Sequence, residues 1–276
     1  MFDGEPFTSA SEQWRQALRR LANNAVTYVR PLLFVAVALP ITAYALSESL
    51  SWVGRPFAGF LLMENALISP VSAWNWPPDR AAFANSQVLT VDGQPVHSSA
   101  DVNRLIEAQA LDTPITYELR QSGQRFTRTL PTRAFTFADF LQVYLGLILD
   151  GCLALVIGVI VGVLQPRSRP ARVFALQMFA SWAYPTTAVF LHSANHPALA
   201  ALFSLGEVYY PAAFVHLALV FPIDRPWTRS WAWVPYLVST GLFLWEVVGF
   251  YGDPPNISGL SATYVWTVAS SFIFLA

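Results

Sequence analysis

Long apolar runs recur along this chain at the length that crosses a lipid bilayer, and they bound everything else it can fold into. They fall at 31–47, 141–164, 173–191, 199–221 and 231–251, and another opens at 261 and is still apolar at 276. A bilayer core takes about 20 residues of helix, so the expected fold is an α-helical polytopic membrane protein of about six spans. Composition agrees: of 276 residues, 54% are hydrophobic and 12% charged, against about 25% charged in soluble domains. A net charge of -1 provides no broad basic face, which excludes nucleic acid and leaves the lipid bilayer as the expected partner. The single cysteine, Cys152, lies in an apolar run, so no disulfide framework or Cys-based zinc site is expected.

Arginine placement orients the spans. Arg15, Arg19, Arg20 and Arg30 precede the first run, Arg167, Arg169 and Arg172 follow the second, and Arg225 and Arg229 follow the fourth. With alternating spans these segments share one side, which the positive-inside rule makes cytoplasmic. The expected organisation is a cytoplasmic amphipathic segment at 1–30, a first span at 31–48, an extracytoplasmic domain at 49–136 and a membrane bundle, spans 2–6, at 137–276. Ser9-x-x-Glu12 reads as a capping box, and Trp14, Leu18, Leu21 and Ala25 recur at helical spacing, as in a helix lying on anionic lipid. Ala43-Tyr44-Ala45 also fits a signal-peptide cleavage site; on either reading 49–136 is exported, and the expected location is the bacterial inner membrane.

The exported region follows a different pattern. Val88, Leu89 and Val91 lead into Asp92-Gly93, a turn signal. Ser98-x-x-Asp101 is a second capping box, opening a helix with Val102, Leu105 and Ile106 on one face and stopped by Thr113-Pro114. Ile115, Tyr117 and Leu119 alternate as a strand, Ser122-Gly123 turns, and Phe126 and Leu130 lie on the returning strand.

The run Val88-Leu89-Thr90-Val91-Asp92-Gly93-Gln94-Pro95-Val96, the helix after it and Tyr117-Glu118-Leu119-Arg120-Gln121-Ser122-Gly123 resemble the second half of a PDZ domain. Upstream, Pro56-Phe57-Ala58-Gly59-Phe60-Leu61-Leu62 resembles the carboxylate-binding loop and following strand, while Asn85-Ser86 stands where such domains usually carry Gly-Asp. With the spans, the layout resembles multi-span bacterial sensors of the competence-type histidine kinase group, in which an exported PDZ-like domain follows the first span. His216-Leu217-Ala218-Leu219-Val220-Phe221-Pro222 resembles a recurring segment of that group. The resemblance implies a small extracytoplasmic α+β domain between spans 1 and 2. It also implies a sensory input role in signal transduction, of the two-component kind. A homodimer is implied if the effector is a kinase. The effector would be a histidine kinase, cyclase or phosphatase, and the chain, ending in an apolar run, is expected to continue into it.

None of the motifs of such effectors occurs within the 276 residues, so neither catalytic residues nor a cofactor is expected. A zinc protease would need His-Glu-x-x-His; His192 and His196 share i, i+4 spacing, but Pro197 follows at once, and no metal is assigned. The alternative class is a transporter with a PDZ-like accessory domain, for which Pro185 and Pro211 would be the breaks in the spans.

Three sets of candidate site residues follow. Backbone N–H groups near Gly59, Phe60 and Leu61 would hold the carboxylate of an extracytoplasmic peptide added to the sheet edge; the competing reading fills that groove with the chain's own segment 61–68. His216, with Phe221 and Pro222 after it, is a candidate for signal transmission or, alternatively, polar glue between helices. Asp150, Glu207 and Glu246 lie at similar depth from the outer ends of their spans. With His192 and His196 at its rim, they are expected to line an outward pocket for a cationic ligand or proton. The alternative is three carboxyls bonded separately.

Overall fold

The computed structural model describes residues 10–71, 82–193, 196–221, 230–250 and 258–275, together with 252 and 255. About 64% of the chain is helical. The first helix, α1 (Ala10–Ser51), runs unbroken through Pro31 and Pro40, as membrane helices tolerate. Backbone 10–30 is thus continuous with the first apolar run. Ser9 and the side chains of Trp14, Leu18, Leu21 and Ala25 lie outside what is described.

After α1 come β1 (Pro56–Phe57), β2 (Gln87–Val91), β3 (Gln94–Pro95), α2 (Ser99–Glu107), β4 (Pro114–Gln121), β5 (Gln124–Pro131) and β6 (Arg133–Ala134). Strands β3-β2-β4-β5 form one antiparallel sheet, and β1 pairs with β6 at the base of the module. Two turns make the sheet possible. Asp92-Gly93 (φ 49° and 77°) and Ser122-Gly123 (φ 50° and 83°) both take the left-handed conformation that two-residue hairpins require. Strands β4 and β5 then pair from Pro114↔Pro131 to Gln121↔Gln124. The inward residues Val88, Val91, Ile115, Tyr117 and Leu119 bury against Val102 and Ile106 of α2, giving the module its own core. Helix α2 ends at Glu107, ahead of Thr113-Pro114. The chain passes Asp112 at φ 60° before β4 begins.

The start of α2 is held by a local charge. Ser98 Oγ accepts from the Asp101 N–H at 3.2 Å, and Asp101 Oδ2 accepts from the His97 N–H at 3.2 Å and from the Ser98 hydroxyl at 3.0 Å. These bonds, the His97 N–H foremost, and the adjacent Arg104 hold the Asp101 carboxyl below its ordinary value. A depressed carboxyl stabilises the fold above its unfolded pKa of about 4, and that stabilisation is lost as pH falls through the folded value. Asp101→Asn is therefore expected to lower the melting temperature at pH 7 and to remove part of the acid destabilisation that sets in below about pH 4. Melting curves of both proteins across that window check it.

The helical bundle comprises α3 (Phe137–Leu164), α4 (Arg169–Thr186), α5 (Ala188–Ser193), α6 (Pro197–Val220), α7 (Val234–Phe250) and α8 (Ser258–Leu275). Pro31–Ser51 of α1, α3 and α6 are long and apolar enough to cross a membrane, and α7 is apolar but 17 residues long. The chain is accordingly membrane-associated. Leu149, Leu153, Val156 and Ile160 form an exposed apolar stripe along α3, the surface a lipid-facing helix presents. The third apolar run is divided, α4 ending at Thr186 just after Pro185 and α5 restarting at Ala188. Pro211 sits inside an uninterrupted α6.

Module and bundle share a second core. Phe57 and Leu61 from the module pack with Phe135, Phe140, Tyr144 and Phe190. A single turn of π-helix, Leu141–Leu145, sets Tyr144 on that face, where it is 1% exposed. Such turns re-aim side chains within otherwise regular helices.

Candidate ligand cleft

Four helices enclose a cleft of about 490 Å³ lined by Asp150 of α3, Gln177, Ser181 and Tyr184 of α4, Glu207 and Tyr210 of α6, and Tyr264 and Thr267 of α8. Helical spacing explains the set. Gln177, Ser181 and Tyr184 are successive turns of one face, as are Glu207 and Tyr210. Ser181 donates to the Gln177 carbonyl at 2.9 Å, closing that face locally. Glycines draw the walls together. A Cβ on Gly151 would stand 2.0 Å from Thr186 Oγ1, and one on Gly206 would stand 2.6 Å from the Tyr184 backbone nitrogen.

Two of the three expected carboxylates meet here. Asp150 and Glu207 both line the cleft, and Tyr184 feels the charge of each. The Glu207 Oε2 atom is buried without a hydrogen-bond partner. Glu246 sits within electrostatic range of Glu207 but not on the cleft wall. It is 9% exposed and accepts from the Thr263 hydroxyl at 3.3 Å, with Ser204 as a further donor. The expected group of three therefore divides into two carboxyls on the cleft wall and one bonded locally behind it.

The two histidines are not at the rim of this cleft; they belong to the junction between module and bundle. His192 is 3% exposed. Its Nδ1 lies 3.2 Å from the Tyr144 hydroxyl and its Nε2 3.3 Å from the Ser69 hydroxyl. A neutral imidazole donates to one and accepts from the other, so His192 links α5, the π turn and the sheet module. His196 precedes α6, pairs with the Tyr44 hydroxyl of α1 and sets its ring edge-on to Phe190 at 5.7 Å.

Gly59, Phe60 and Leu61 do not line an open groove. Gly59 takes φ 82°, and Phe60 and Leu61 are 1% and 0% exposed. Phe60 sets its ring edge-on to Tyr117 in the module core, while Leu61 turns the other way into the shared core. The following segment folds back on the sheet. The Ser69 N–H donates to the Leu61 carbonyl at 2.8 Å, and the Val88 N–H donates to the Ala66 carbonyl at 2.9 Å. Residues 61–69 thus cover the sheet edge that a peptide would need.

His216 Nδ1 lies 3.0 Å from the Tyr236 hydroxyl, joining α6 to α7. The same interface carries a Tyr209–Thr240 bond at 2.9 Å and Ser239 donating to the Val208 carbonyl at 2.7 Å. His216 is one of several polar ties between these helices. Phe221 is exposed at the end of α6, and Pro222 lies outside the described residues.

Tyr184, Tyr210, Gln177 and Ser181 are cleft residues that the reading by charge passed over. Their signal was present as polar side chains at turn spacing inside apolar runs. Chemically the cleft offers two carboxylates, three phenols and an amide, with no basic residue among its lining, a set that suits a cation and disfavours an anion. In comparison with known proteins, no family model, no curated protein and no solved structure matches the chain.

Proposed function

We propose that this chain is the membrane-embedded input module of a bacterial signal-transduction protein, and that its bundle reads a small organic cation through the Asp150–Glu207 cleft. One observation carries the reading: a buried carboxylate oxygen of Glu207 has no hydrogen-bond partner and belongs to a residue lining a polar cleft inside an apolar bundle. Leaving a buried polar acceptor unsatisfied costs about 1–3 kcal/mol, and functional sites are where proteins keep such groups. Tyrosine faces beside carboxylates favour an ammonium group over a hydrated metal ion.

The arginine distribution supports the proposed topology of six spans, with 49–136 outside the inner membrane. The β3-β2-β4-β5 sheet with its capped helix supports a PDZ-like ancestry for that module. Its edge is covered, so the module serves as a rigid extracytoplasmic clamp on the bundle. Signal passes inward as a shift of α4 and α6 around the cleft. The effector would be a cytoplasmic domain of the full protein.

The full chain in lipid nanodiscs is titrated with methylammonium through tetramethylammonium, with melting temperature as readout. A ligand at about one hundred times its Kd stabilises by about 2.7 kcal/mol, a shift of several degrees. Glu207→Gln and Asp150→Asn are each expected to remove most of that shift, and Glu246→Gln much less. Equal shifts in the wild type and in the Glu207→Gln/Asp150→Asn double variant would refute the cleft.

A further inference from the structure

A second cavity of about 490 Å³ lies at the other end of the bundle, where α1 crosses α3 and α4. Its walls are apolar, from Pro31 and Phe34 of α1, Gly158 of α3 and Met178 and Phe179 of α4. Phe34 and Phe179 close one side with ring centres 4.5 Å apart. Gly162 widens the groove: a Cβ there would sit at ordinary contact distance, 3.9 Å, from both Ala175 Cβ and Pro31 Cβ, and so occupy the gap between the helices. Arg167 and Arg172 also line the cavity and are exposed. Among the described residues neither has a carboxylate partner. Between them α4 begins, with Ser168 accepting from the Ala171 N–H at 3.4 Å, and that helix start adds its own positive end.

We propose that this groove is a binding site for an anionic glycerophospholipid. The phosphate sits between Arg167 and Arg172 at the start of α4, and an acyl chain lies along the Gly158–Gly162 face against Phe34. The two halves of the cavity argue for one molecule. A soluble anion would use the arginines and leave the apolar walls empty, whereas a neutral lipid would use the walls and leave two arginines uncompensated. Basic pockets between membrane helices on the cytoplasmic side are suited to anionic headgroups, and the arginine distribution puts this end of the bundle on that side. The lipid fills the gap between α1 and the α3–α4 pair, and so sets how α1 leans on the bundle.

Native mass spectrometry of the full detergent-solubilised chain is the test, with phosphatidylglycerol and phosphatidylcholine of matched acyl chains as probes. The wild type is expected to retain one phosphatidylglycerol in preference to phosphatidylcholine. Arg167→Gln/Arg172→Gln, at exposed positions where folding is not at stake, should bind it about thirtyfold more weakly, or about 2 kcal/mol. Gly162→Leu keeps both arginines and fills the groove, and should also lose the lipid. Equal retention of the two lipids, or undiminished binding by the double arginine variant, overturns the proposal. So does displacement of phosphatidylglycerol by millimolar inorganic phosphate, which would make the site one for a soluble anion. If Gly162→Leu folds and still binds as the wild type does, the headgroup is held without the groove and the proposal fails on that arm.

Discussion

Asp139→Ala is expected to destabilise the full chain by about 3–5 kcal/mol, the cost of breaking a buried ion pair by removing one partner. Asp139 is 6% exposed and stands in the first turn of α3. Its two oxygens accept from Arg133 Nη2 at 2.6 Å and 2.5 Å, and Oδ2 also accepts from the Thr136 N–H and hydroxyl, each at 2.7 Å. The Asp139 N–H returns a bond to Thr136 Oγ1 at 3.1 Å, completing a capping box. One carboxylate therefore does three things. It caps a membrane helix, neutralises Arg133 and fixes β6 where it pairs with β1. Without it, the half-buried Arg133 side chain is left, among the described residues, with its approach to the Phe57 ring, 6.0 Å from the centroid. Asp139→Asn retains one acceptor and the cap but loses the charge-assisted pair, and should cost about half as much. Chemical denaturation in detergent orders the three proteins. A wild-type midpoint for Asp139→Ala would mean that the junction does not depend on this contact.

Local chemistry was readable in the sequence, and relative rotation was not. Asp92-Gly93, Ser122-Gly123 and the Ser98–Asp101 box lie where turn and cap rules put them, because each is decided within four residues. The alternation of Ile115, Tyr117 and Leu119 yields three buried side chains for the same reason. The carboxylates differ. Depth along a helix follows from counting, but which way a residue faces depends on how its helix is rotated in the bundle. Glu246 shares the depth and not the cleft. The i, i+4 spacing of His192 and His196 means one face only within one helix; His192 ends α5 and His196 precedes α6, so the rule did not apply. The unusual apolarity of residues 57–68 has a physical cause in the fold. Phe60 and Leu62 point into the module core and Leu61 into the bundle, so this segment is covered on both faces, as buried strands are. Tyr144 could not have been found, since nothing in Leu141–Leu145 announces a π turn.

Gly206→Val is expected to separate α4 from α6, lowering stability by about 1–3 kcal/mol and weakening the cation-dependent melting shift as well. A Cβ at Gly206 would lie 2.6 Å from the Tyr184 backbone nitrogen, 3.0 Å from its Cα and 3.1 Å from Ala183 Cβ. The two nearest atoms are backbone, which cannot rotate away, so the helices themselves must move apart. Gly206 precedes Glu207, and Tyr184 and Glu207 both line the cleft. The same displacement that relieves the clash therefore widens the site. Stability and ligand response should fall together in the order Gly206→Ala, then Gly206→Val. Gly241, on α7, is the matched control: a Cβ there meets nothing within 4 Å. Gly241→Ala should leave the cleft unchanged and add up to about 1 kcal/mol through helix propensity. Melting temperatures with and without tetramethylammonium, taken on the full chain in nanodiscs, separate the outcomes. A Gly206→Val protein that melts lower yet keeps the full ligand shift would place the cation away from the α4–α6 contact. One that melts as the wild type does would mean that these two helices do not pack through Gly206.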